Sequence, residues 1–338
     1  MRLDPMDKAR APGPNGVLNN GGDVAVCALY QFVRIEDPVG LRGALAAECD
    51  RLGLKGTVLV AVEGINGTVA GSDAAVAALE AWFAADGRFR RLTLNRSRAP
   101  EPPFRRMKVK LKREIVSLGV PGIDAGARTG THVAPGAWDA LIADASVTVV
   151  DTRNDYEVRI GSFRGAVSAG TRHFREFPAF AERALDPDRD RRIAMFCTGG
   201  IRCEKAAAFL IAQGFEEVYQ LEGGILNYLN RVPESQSSWQ GACFVFDERV
   251  ALRHDLSPGE YRQCHACRRP LSASDTASED YVPGVVCPYC VGETEAQQRE
   301  RFAERTRQVA LAATRGVRHI AQDMDAARAR RRRRSRRK

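Results

Sequence analysis

The pattern of hydrophobic positions at the start of the chain changes from a continuous apolar run to a helical period. The run begins at Val24 and is rich in residues that favour strands. Leu41, Leu45, Cys49 and Leu52 then follow at the spacing of one buried helix face. The first two elements are therefore predicted to be a strand and an amphipathic helix.

The next apolar segment has the signature of a β-hairpin. Residues 57–62 are rich in β-branched side chains, the Asn66-Gly67 pair is a common hairpin turn, and residues 68–71 can pair back. A second amphipathic helix is predicted from about Asp73 to Phe83. The resulting order, β-α-β-β-α, needs one more strand to close a sheet.

Residues 104–115 are the main candidate for this closing strand, and residues 92–94 could share the role. Apolar and lysine positions alternate in the main candidate, so one face would be apolar and the other positively charged. The completed order predicts a ferredoxin-like, acylphosphatase-like domain. Its cationic residues either protect a sheet edge from pairing or bind the phosphates of a nucleic acid. They are Arg105, Arg106, Lys108, Lys110 and Lys112.

A reactive cysteine is the strongest chemical signal in the sequence. Cys197 follows an apolar run from Ile193, and a six-residue turn that ends at Arg202 leads into an alanine-rich helix. Backbone N–H groups at a helix N-terminus and a nearby guanidinium both stabilise a thiolate. We therefore expect Cys197 and Arg202 to be catalytic, although many lone cysteines are only core residues. The N–H groups that hold the thiolate would come from Thr198, Gly199, Gly200 and Ile201.

The segments around this turn predict a parallel sheet. Residues 147–150 form an apolar, β-branched run, and Gly223-Gly224 marks a tight turn after another apolar segment. Residues 128–232 resemble a rhodanese domain in Asp151-Thr152-Arg153, in the loop from Cys197 and in Gly223-Gly224. The loop length resembles that of the sulfur-handling members. Phosphatases of the same fold have loops one residue longer, so phosphatase activity is the weaker inference.

Two C-x-x-C pairs dominate the C-terminal part of the chain. They follow a polar segment, residues 233–241, which is expected to be a linker. Their spacing is that of a zinc ribbon and predicts a structural zinc site closed by four thiolates, with disulfides as the alternative. Helical periodicity from Glu293 onward predicts a solvated helix. The four cysteines are Cys264, Cys267, Cys287 and Cys290.

Composition adds the cellular context and the distribution of charge. No apolar run is long enough to cross a bilayer, and nine cysteines with two metal-type pairs fit a reducing compartment. We therefore expect a cytoplasmic protein that neither spans nor binds a membrane. The net charge of +9 equals the charge of residues 328–338, so the remaining chain is formally neutral.

The 338 residues are long enough for two or three domains. We expect a multidomain protein of α/β and α+β class, divided into five segments. These are a disordered lead at 1–23, a ferredoxin-like domain at 24–118, a rhodanese domain at 128–232, a four-cysteine region with a helix at 242–315, and a basic tail at 316–338.

The order of these segments resembles the rhodanese-type, oxygen-dependent tRNA uridine hydroxylase family, which is UPF0176-like. Residues 64–68, the loop with its second cysteine Cys203, and the four-cysteine region carry the resemblance. It implies hydroxylation of carbon 5 of the wobble uridine, with molecular oxygen as co-substrate and the anticodon region of tRNA as partner. It also implies that Cys197 is the essential cysteine.

The residues themselves leave two other functions open. A thiol of low pKa with a second thiol nearby also suits a sulfurtransferase that carries a persulfide. Cys203 could resolve an oxidised Cys197 or pack as an ordinary helix residue. An RNA-binding scaffold with an inactive thiol is the non-enzymatic alternative. The sequence has no haem, flavin or two-histidine-one-carboxylate signature, so it names neither a redox cofactor nor an electron donor.

Overall fold

The computed structural model describes residues 24–315, so the predicted lead at 1–23 and the basic tail at 316–338 lie outside the described residues. Two five-stranded sheets account for the N-terminal and central parts of the described chain, and the four cysteines lie in a small region after them. None of the described helices is long and apolar enough to cross a membrane.

The N-terminal domain is a five-stranded sheet with helices on one face. The strand order is β4-β1-β3-β2-β5, in which β5 runs parallel to β2 and the other pairs are antiparallel. Buried side chains of the sheet and both helices, including Leu45, Val58 and Phe83, form one core. The predicted ferredoxin-like arrangement is confirmed. The elements are β1 (Val24–Phe32), α1 (Pro38–Arg51), β2 (Lys55–Ala61), β3 (Gly64–Gly71), α2 (Asp73–Ala84), β4 (Thr93–Ala99) and β5 (Met107–Leu111).

The strand that closes this unit is β4, so the preference for residues 104–115 was wrong. Both edges of β3 are taken by β1 and β2, and the free edge that remains beside β1 receives β4. Strand β5 then adds a fifth strand on the other side, at the edge next to β2. Met107 and Val109 pack against the core, but Leu111 near the strand end is 42% exposed. The apolar face is therefore only partly buried.

The hairpin between β2 and β3 turns at Val62-Glu63, and the predicted turn at Asn66-Gly67 was wrong. Gly67 lies within β3, where an added Cβ would stand 2.4 Å from the Thr57 carbonyl oxygen. Asn66 Nδ2 donates a 2.9 Å hydrogen bond to the carbonyl oxygen of Ile115. This Asn-Gly pair therefore permits close strand approach and ties down the segment after β5.

The central domain contains the predicted parallel sheet, and its strand order is β6-β11-β10-β7-β9. Separate hydrophobic clusters cover its two faces, with Phe209 in one and Tyr228 in the other. Strand β10 is in the middle of the sheet, so Cys197 lies at the carboxyl end of the central strand. The elements are β6 (Thr131–Val133), α3 (Pro135–Ile142), β7 (Val147–Asp151), α4 (Asp155–Val158), β8 (Gly161–Phe163), β9 (Val167–Ser168), α5 (Phe177–Ala184), β10 (Arg192–Phe196), α6 (Ile201–Ala212), β11 (Glu217–Leu221) and α7 (Gly224–Arg231).

The polar segment 233–241, which was predicted to be a linker, is part of the central domain at its C-terminal end. Strand β12 (Trp239–Gly241) pairs with β8, and Trp239 is buried with its ring centroid 5.2 Å from that of Phe163. The guanidinium of Arg153 lies 5.1 Å from the Trp239 ring centroid. One aromatic anchor outweighs the polar composition of its neighbours.

The remaining elements are short, apart from one helix. A hairpin of β13 (Cys243–Phe244) and β14 (Ala251–Leu252) continues from β12, with Cys243 and Leu252 in the central core. The cysteine region contains β15 (Arg262–Gln263), β16 (Pro270–Leu271) and α8 (Ala273–Ala277), followed by α9 (Ala296–Thr314). Ala312 is the only buried residue of α9, which is therefore solvated along its length, as predicted.

Helix α6 joins the central domain to the N-terminal domain through buried polar contacts. Lys205 Nζ lies 2.6 Å from Glu114 Oε2 and 2.8 Å from Glu63 Oε2, and its side chain is 3% exposed. The Tyr30 hydroxyl donates a 3.0 Å hydrogen bond to Glu204 Oε1. Because α6 begins at the cysteine loop, these contacts orient the loop toward the N-terminal sheet.

Candidate thiolate site

The loop from Cys197 to Arg202 directs backbone N–H groups at the sulfur. Strand β10 ends at Phe196, and α6 starts at Ile201. Gly200, with φ of 99°, turns the chain between them, and its N–H donates to Cys197 Sγ at 3.2 Å. The backbone N–H groups of Arg202 and Cys203 also donate to this sulfur. The geometry is that of an anion-binding loop at a helix N-terminus.

This environment favours the thiolate of Cys197. Burial alone raises the pKa of the thiol, but the hydrogen bond from Cys203, the charge of Arg202 and the backbone donors outweigh it. The pKa falls from the ordinary 9.0 to about 6. Burial instead raises the pKa of Cys27 and of Cys243 to about 12. Cys197 therefore has the chemistry of a nucleophile, whereas these two cysteines behave as core residues.

Cys203 is brought directly to Cys197. Its thiol hydrogen-bonds to the Cys197 sulfur, and burial together with that contact raises its own pKa well above the ordinary value. Its Sγ also lies 3.6 Å from Thr152 Oγ1, and the residue is fully buried in the core. Cys203 thus stays protonated and supports the thiolate, in a position from which it can also react with Cys197.

Arg202 acts on the thiolate from a position set by Glu157. Its Nη1 and Nη2 donate to the two Glu157 carboxylate oxygens at 2.6 and 2.8 Å, and Nη2 also lies 3.4 Å from Thr198 Oγ1. Both side chains of the ion pair are buried. Arg202 is therefore a positioning residue for the loop, and its charge lowers the pKa of Cys197.

A second glycine turn supports the loop from below. The N–H groups of Ile225 and Leu226 donate to the carbonyl oxygens of Cys197 and Thr198 at 2.9 and 3.0 Å. Gly224 has φ of 66°, and an added Cβ would stand 2.5 Å from the Cys197 carbonyl oxygen. Any side chain at this position would displace the loop.

The N-terminal domain also contributes to the site. Asn95 Nδ2 donates to the Gly199 carbonyl oxygen at 3.4 Å. A Cβ added to Gly200 would stand 2.7 Å from the Tyr30 hydroxyl oxygen. Sequence reasoning missed both Tyr30 and Asn95, because no local pattern marks a residue whose partner lies more than a hundred positions away.

Asn95 begins a row of side chains that crosses the sheet on the face opposite its helices. Cross-strand pairing gives the order Asn95, Ala28, Thr68, Thr57 and Lys108. Adjacent strands are about 4.8 Å apart, so Lys108 stands about 19 Å from Asn95. The three residues between them are small and half-buried. This half-exposed face therefore connects the thiol loop to the cationic strand β5.

The predicted cationic residues lie on and around β5, but they differ in exposure and in whether a carboxylate balances their charge. Arg105 Nε donates to Glu248 Oε1 at 2.7 Å, so part of its charge is balanced. Lys112 lies just beyond β5 and is exposed. Burial and then the nearby charges of other cations lower the pKa of Lys108. We call Arg106, Lys108, Lys110 and Arg268 the basic surface, since the charges of the other three all act on Lys108.

The four cysteines of the C-terminal region converge on one point. Their sulfur atoms all lie within 4.8 Å of one another, with Cys267 3.7 Å from Cys287 and Cys287 3.6 Å from Cys290. A tetrahedral zinc ion with Zn–S bonds of about 2.3 Å requires sulfur separations of about 3.8 Å. All four are free thiols, so the disulfide alternative does not fit. The cluster can hold a metal ion such as zinc.

We expect the Cys197 thiolate to form as the pH rises through about 6, far below the ordinary thiol range, because the folded site lowers this pKa. The measurement is the ultraviolet thiolate absorbance of the parent minus that of Cys197→Ser across a pH series. Cys203→Ala should raise the midpoint, since it removes a hydrogen-bond donor to the thiolate. A difference spectrum that appears only near pH 9 would contradict the assignment.

Comparison with known proteins agrees with the two-domain arrangement. The model for the UPF0176 acylphosphatase-like domain matches residues 24–115, and the model for the rhodanese-like domain matches residues 135–231. The predicted acylphosphatase-like domain and the predicted rhodanese domain are thereby confirmed.

Solved structures with similar parts include three of low identity. The rhodanese-like domain of an Anabaena sp. protein is 19% identical, covering 33% of this chain and 80% of that chain at a TM-score of 0.28. BlrB, a BLUF protein in its dark state, is 24% identical, and the match covers 29% of this chain and 80% of that chain at a TM-score of 0.24. A Rhodopseudomonas palustris protein of unknown function, described as a possible tyrosine phosphatase, is 23% identical. The match covers 35% of this chain and 93% of that chain at a TM-score of 0.26.

The two family models match the N-terminal and central domains in the order in which the chain presents them. The chain therefore combines a domain of the UPF0176 acylphosphatase-like type with a rhodanese-like domain that follows it.

Proposed function

We propose that this protein hydroxylates carbon 5 of the wobble uridine of tRNA, with molecular oxygen as co-substrate and Cys197 as the reactive residue. The observation that carries the proposal is the shared face of the N-terminal sheet. The thiol loop touches Asn95 at one end of a cross-strand row, and Lys108 stands at the other. A nucleophile and a phosphate-binding strand on one surface suit a polyanionic substrate that presents an unpaired base.

A thiolate has a specific use in chemistry at carbon 5 of uracil. Carbon 6 is electrophilic because its double bond to carbon 5 is conjugated with the carbonyl at carbon 4. Addition of the Cys197 thiolate to carbon 6 forms an S–C bond and moves the electron pair toward carbon 5. Carbon 5 then attacks an oxygen electrophile, and loss of its proton expels the thiolate.

The overall reaction also defines what else must be supplied. One atom of dioxygen enters the new C–OH bond, and the other leaves as water. This consumes two electrons and two protons for each uridine, so a two-electron reductant takes part. Cys197 and Cys203 could together supply two electrons by forming a disulfide, or an external reductant could act.

The four-cysteine cluster is assigned a structural zinc ion. Four protein thiolates close the coordination shell and leave no position for substrate or oxygen. The region packs on the central domain through the Arg159 guanidinium, which lies 4.5 Å from the Tyr289 ring centroid. The metal would therefore hold Arg268 and the rest of the region in place, with no direct part in the chemistry.

Sulfur transfer is the second candidate function. The N–H of Gly200, which lies 3.2 Å from Cys197 Sγ, could equally stabilise a persulfide anion on that sulfur. A persulfide carrier would donate sulfur and leave a thiolated nucleoside in tRNA. Release of sulfide or formation of thiouridine would favour this candidate over hydroxylation.

Cys197→Ser should abolish formation of 5-hydroxyuridine while tRNA affinity stays near that of the parent, because a serine hydroxyl remains protonated where the thiol ionises. The measurement is mass spectrometry of tRNA nucleosides after incubation of protein, tRNA, air and a reductant. Cys49→Ala is the matched control, because that thiol lies in the N-terminal core. Product formation by Cys197→Ser at the parent rate would refute the role of Cys197.

The purified protein should contain one zinc ion per chain. Cys290→Ser should lower the zinc content and Cys49→Ala should not, because Cys290 belongs to the four-cysteine cluster and Cys49 does not. Chelation should expose the amides of residues 262–295 first, as followed by hydrogen exchange, because a structural metal supplies folding free energy. Metal-free protein with a mapped disulfide between Cys264 and Cys290 would exclude the site.

Reversal of Lys108 and Lys110 to Glu should weaken tRNA binding and cut single-turnover rates even at saturating tRNA, since a misplaced substrate reacts slowly. The slope of log affinity against log salt should fall by about two if both residues contact phosphates. Arg42→Glu on the helix side should change neither quantity to this extent. If the double reversal behaves like Arg42→Glu, the lysines only protect the sheet edge.

A further inference from the structure

Phe246 is an exposed aromatic side chain beside the thiol loop. It is 62% exposed, and among the exposed large hydrophobic side chains of residues 24–315 it is the only aromatic one. The Arg202 guanidinium carbon lies 5.8 Å from its ring centroid. The same guanidinium is held by Glu157 and neighbours Cys197. The ring is therefore next to the residue that positions the loop.

Packing against Phe244 fixes the position of the Phe246 ring. Its ring meets Phe244 edge to face, with centroids 5.0 Å apart and an interplanar angle of 87°. The Phe244 carbonyl oxygen in turn lies 3.4 Å from Thr198 Oγ1 of the thiol loop. The position of the exposed ring is thus coupled to the cysteine loop by direct contacts.

The residues after Phe246 form a turn with backbone strain. Val250, a β-branched residue, has φ of 64°, a conformation that persists only where neighbouring contacts enforce it. Those contacts come from Arg249, which pairs with Asp247 at 2.6 Å in a buried site and donates to Ser97 Oγ at 2.8 Å. A strained and well-anchored turn that presents one exposed aromatic ring is typical of a binding feature.

The surroundings of the ring indicate the chemistry of its ligand. Glu248, two residues after Phe246, accepts a hydrogen bond from Arg105, next to the basic surface. Exposed aromatic rings beside cations are the means by which proteins bind unpaired bases of RNA, since the cations hold phosphates and the ring stacks on a base. A protein partner with an apolar patch would not require the cations Arg202 and Arg105 near the ring.

We propose that Phe246 stacks on an unpaired nucleobase of bound RNA and so holds a pyrimidine base beside Cys197. This inference rests on the proposed function in taking RNA as the ligand. A base must leave its own stack to reach a buried sulfur, and the ring replaces part of the stacking that the base gives up. The turn of residues 246–250 is then a specificity element of the thiolate site.

The first test measures the affinity of the full chain for an RNA stem-loop with unpaired uridines in its loop. Phe246→Ala and Phe246→Leu should each weaken binding by roughly 10-fold, because both lose the aromatic face. Phe246→Tyr should bind as the parent does. Val39→Ala, which shortens another exposed apolar side chain on the N-terminal domain, should have no effect.

The second test locates the base. The same stem-loop carrying 5-iodouridine should photocrosslink to the peptide that contains Phe246 in the parent, and this crosslink should be lost in Phe246→Leu. The thiolate titration of Cys197 should be unchanged in Phe246→Leu, which separates loss of stacking from damage to the loop. These measurements need no turnover. If the parent makes no hydroxylated nucleoside but the crosslink and the affinity pattern hold, the reaction is wrong and the stacking role stands.

Three outcomes would overturn the stacking role. Full affinity in Phe246→Leu would indicate a general apolar contact, and full affinity in Phe246→Ala would indicate no contact with RNA. A parent chain that self-associates in sedimentation, while Phe246→Ala does not and binds RNA normally, would indicate that the ring covers a second copy of the chain.

Discussion

The buried ion pair between Arg202 and Glu157 is the interaction on which the site depends. Removing two charges from water costs several kcal/mol for each ion, and loss of one partner from such a pair typically costs about 3–5 kcal/mol. The bidentate geometry, which pairs both carboxylate oxygens of Glu157, offsets that cost here. In return the pair holds the loop closed around Cys197 and places a positive charge beside the sulfur. The lowered pKa of Cys197 follows from the hydrogen bond that Cys203 donates, from this placement of charge and from the backbone donors.

The same arrangement carries into the rest of the molecule through α6. This helix starts at the loop, and its next residues, Glu204 and Lys205, bond to Tyr30 of the N-terminal sheet and to Glu63 and Glu114. Strand β4 adds the contact of Asn95 with the loop. The thiolate site is therefore a property of the domain junction and not of the central domain alone. A half-exposed sheet face leads from this junction to the basic surface.

Local sequence patterns predicted the parts of the protein whose chemistry is local. The strand, turn and helix around Cys197 form as expected, except that α6 begins at Ile201, inside the predicted six-residue turn. The two C-x-x-C pairs converge as their spacing indicates. The parts that could not be predicted depend on distant partners. Glu157, Asn95 and Tyr30 have no local signature of their role. Strand β4 closes the first sheet because of which edge is free, and Trp239 is part of the core because of Phe163 and Arg153. Phe246 is likewise notable only once its exposure and its neighbours are known.

The proposed function requires that a thiolate at this junction promotes the transfer of oxygen to uracil in tRNA. It is tested most directly by incubating the purified protein with tRNA and a reductant under heavy-isotope dioxygen, followed by mass spectrometry of the nucleosides. We expect a hydroxyuridine that carries the heavy oxygen atom, in an amount that depends on Cys197. Product oxygen derived from water, or a nucleoside that has gained sulfur in place of oxygen, would contradict it.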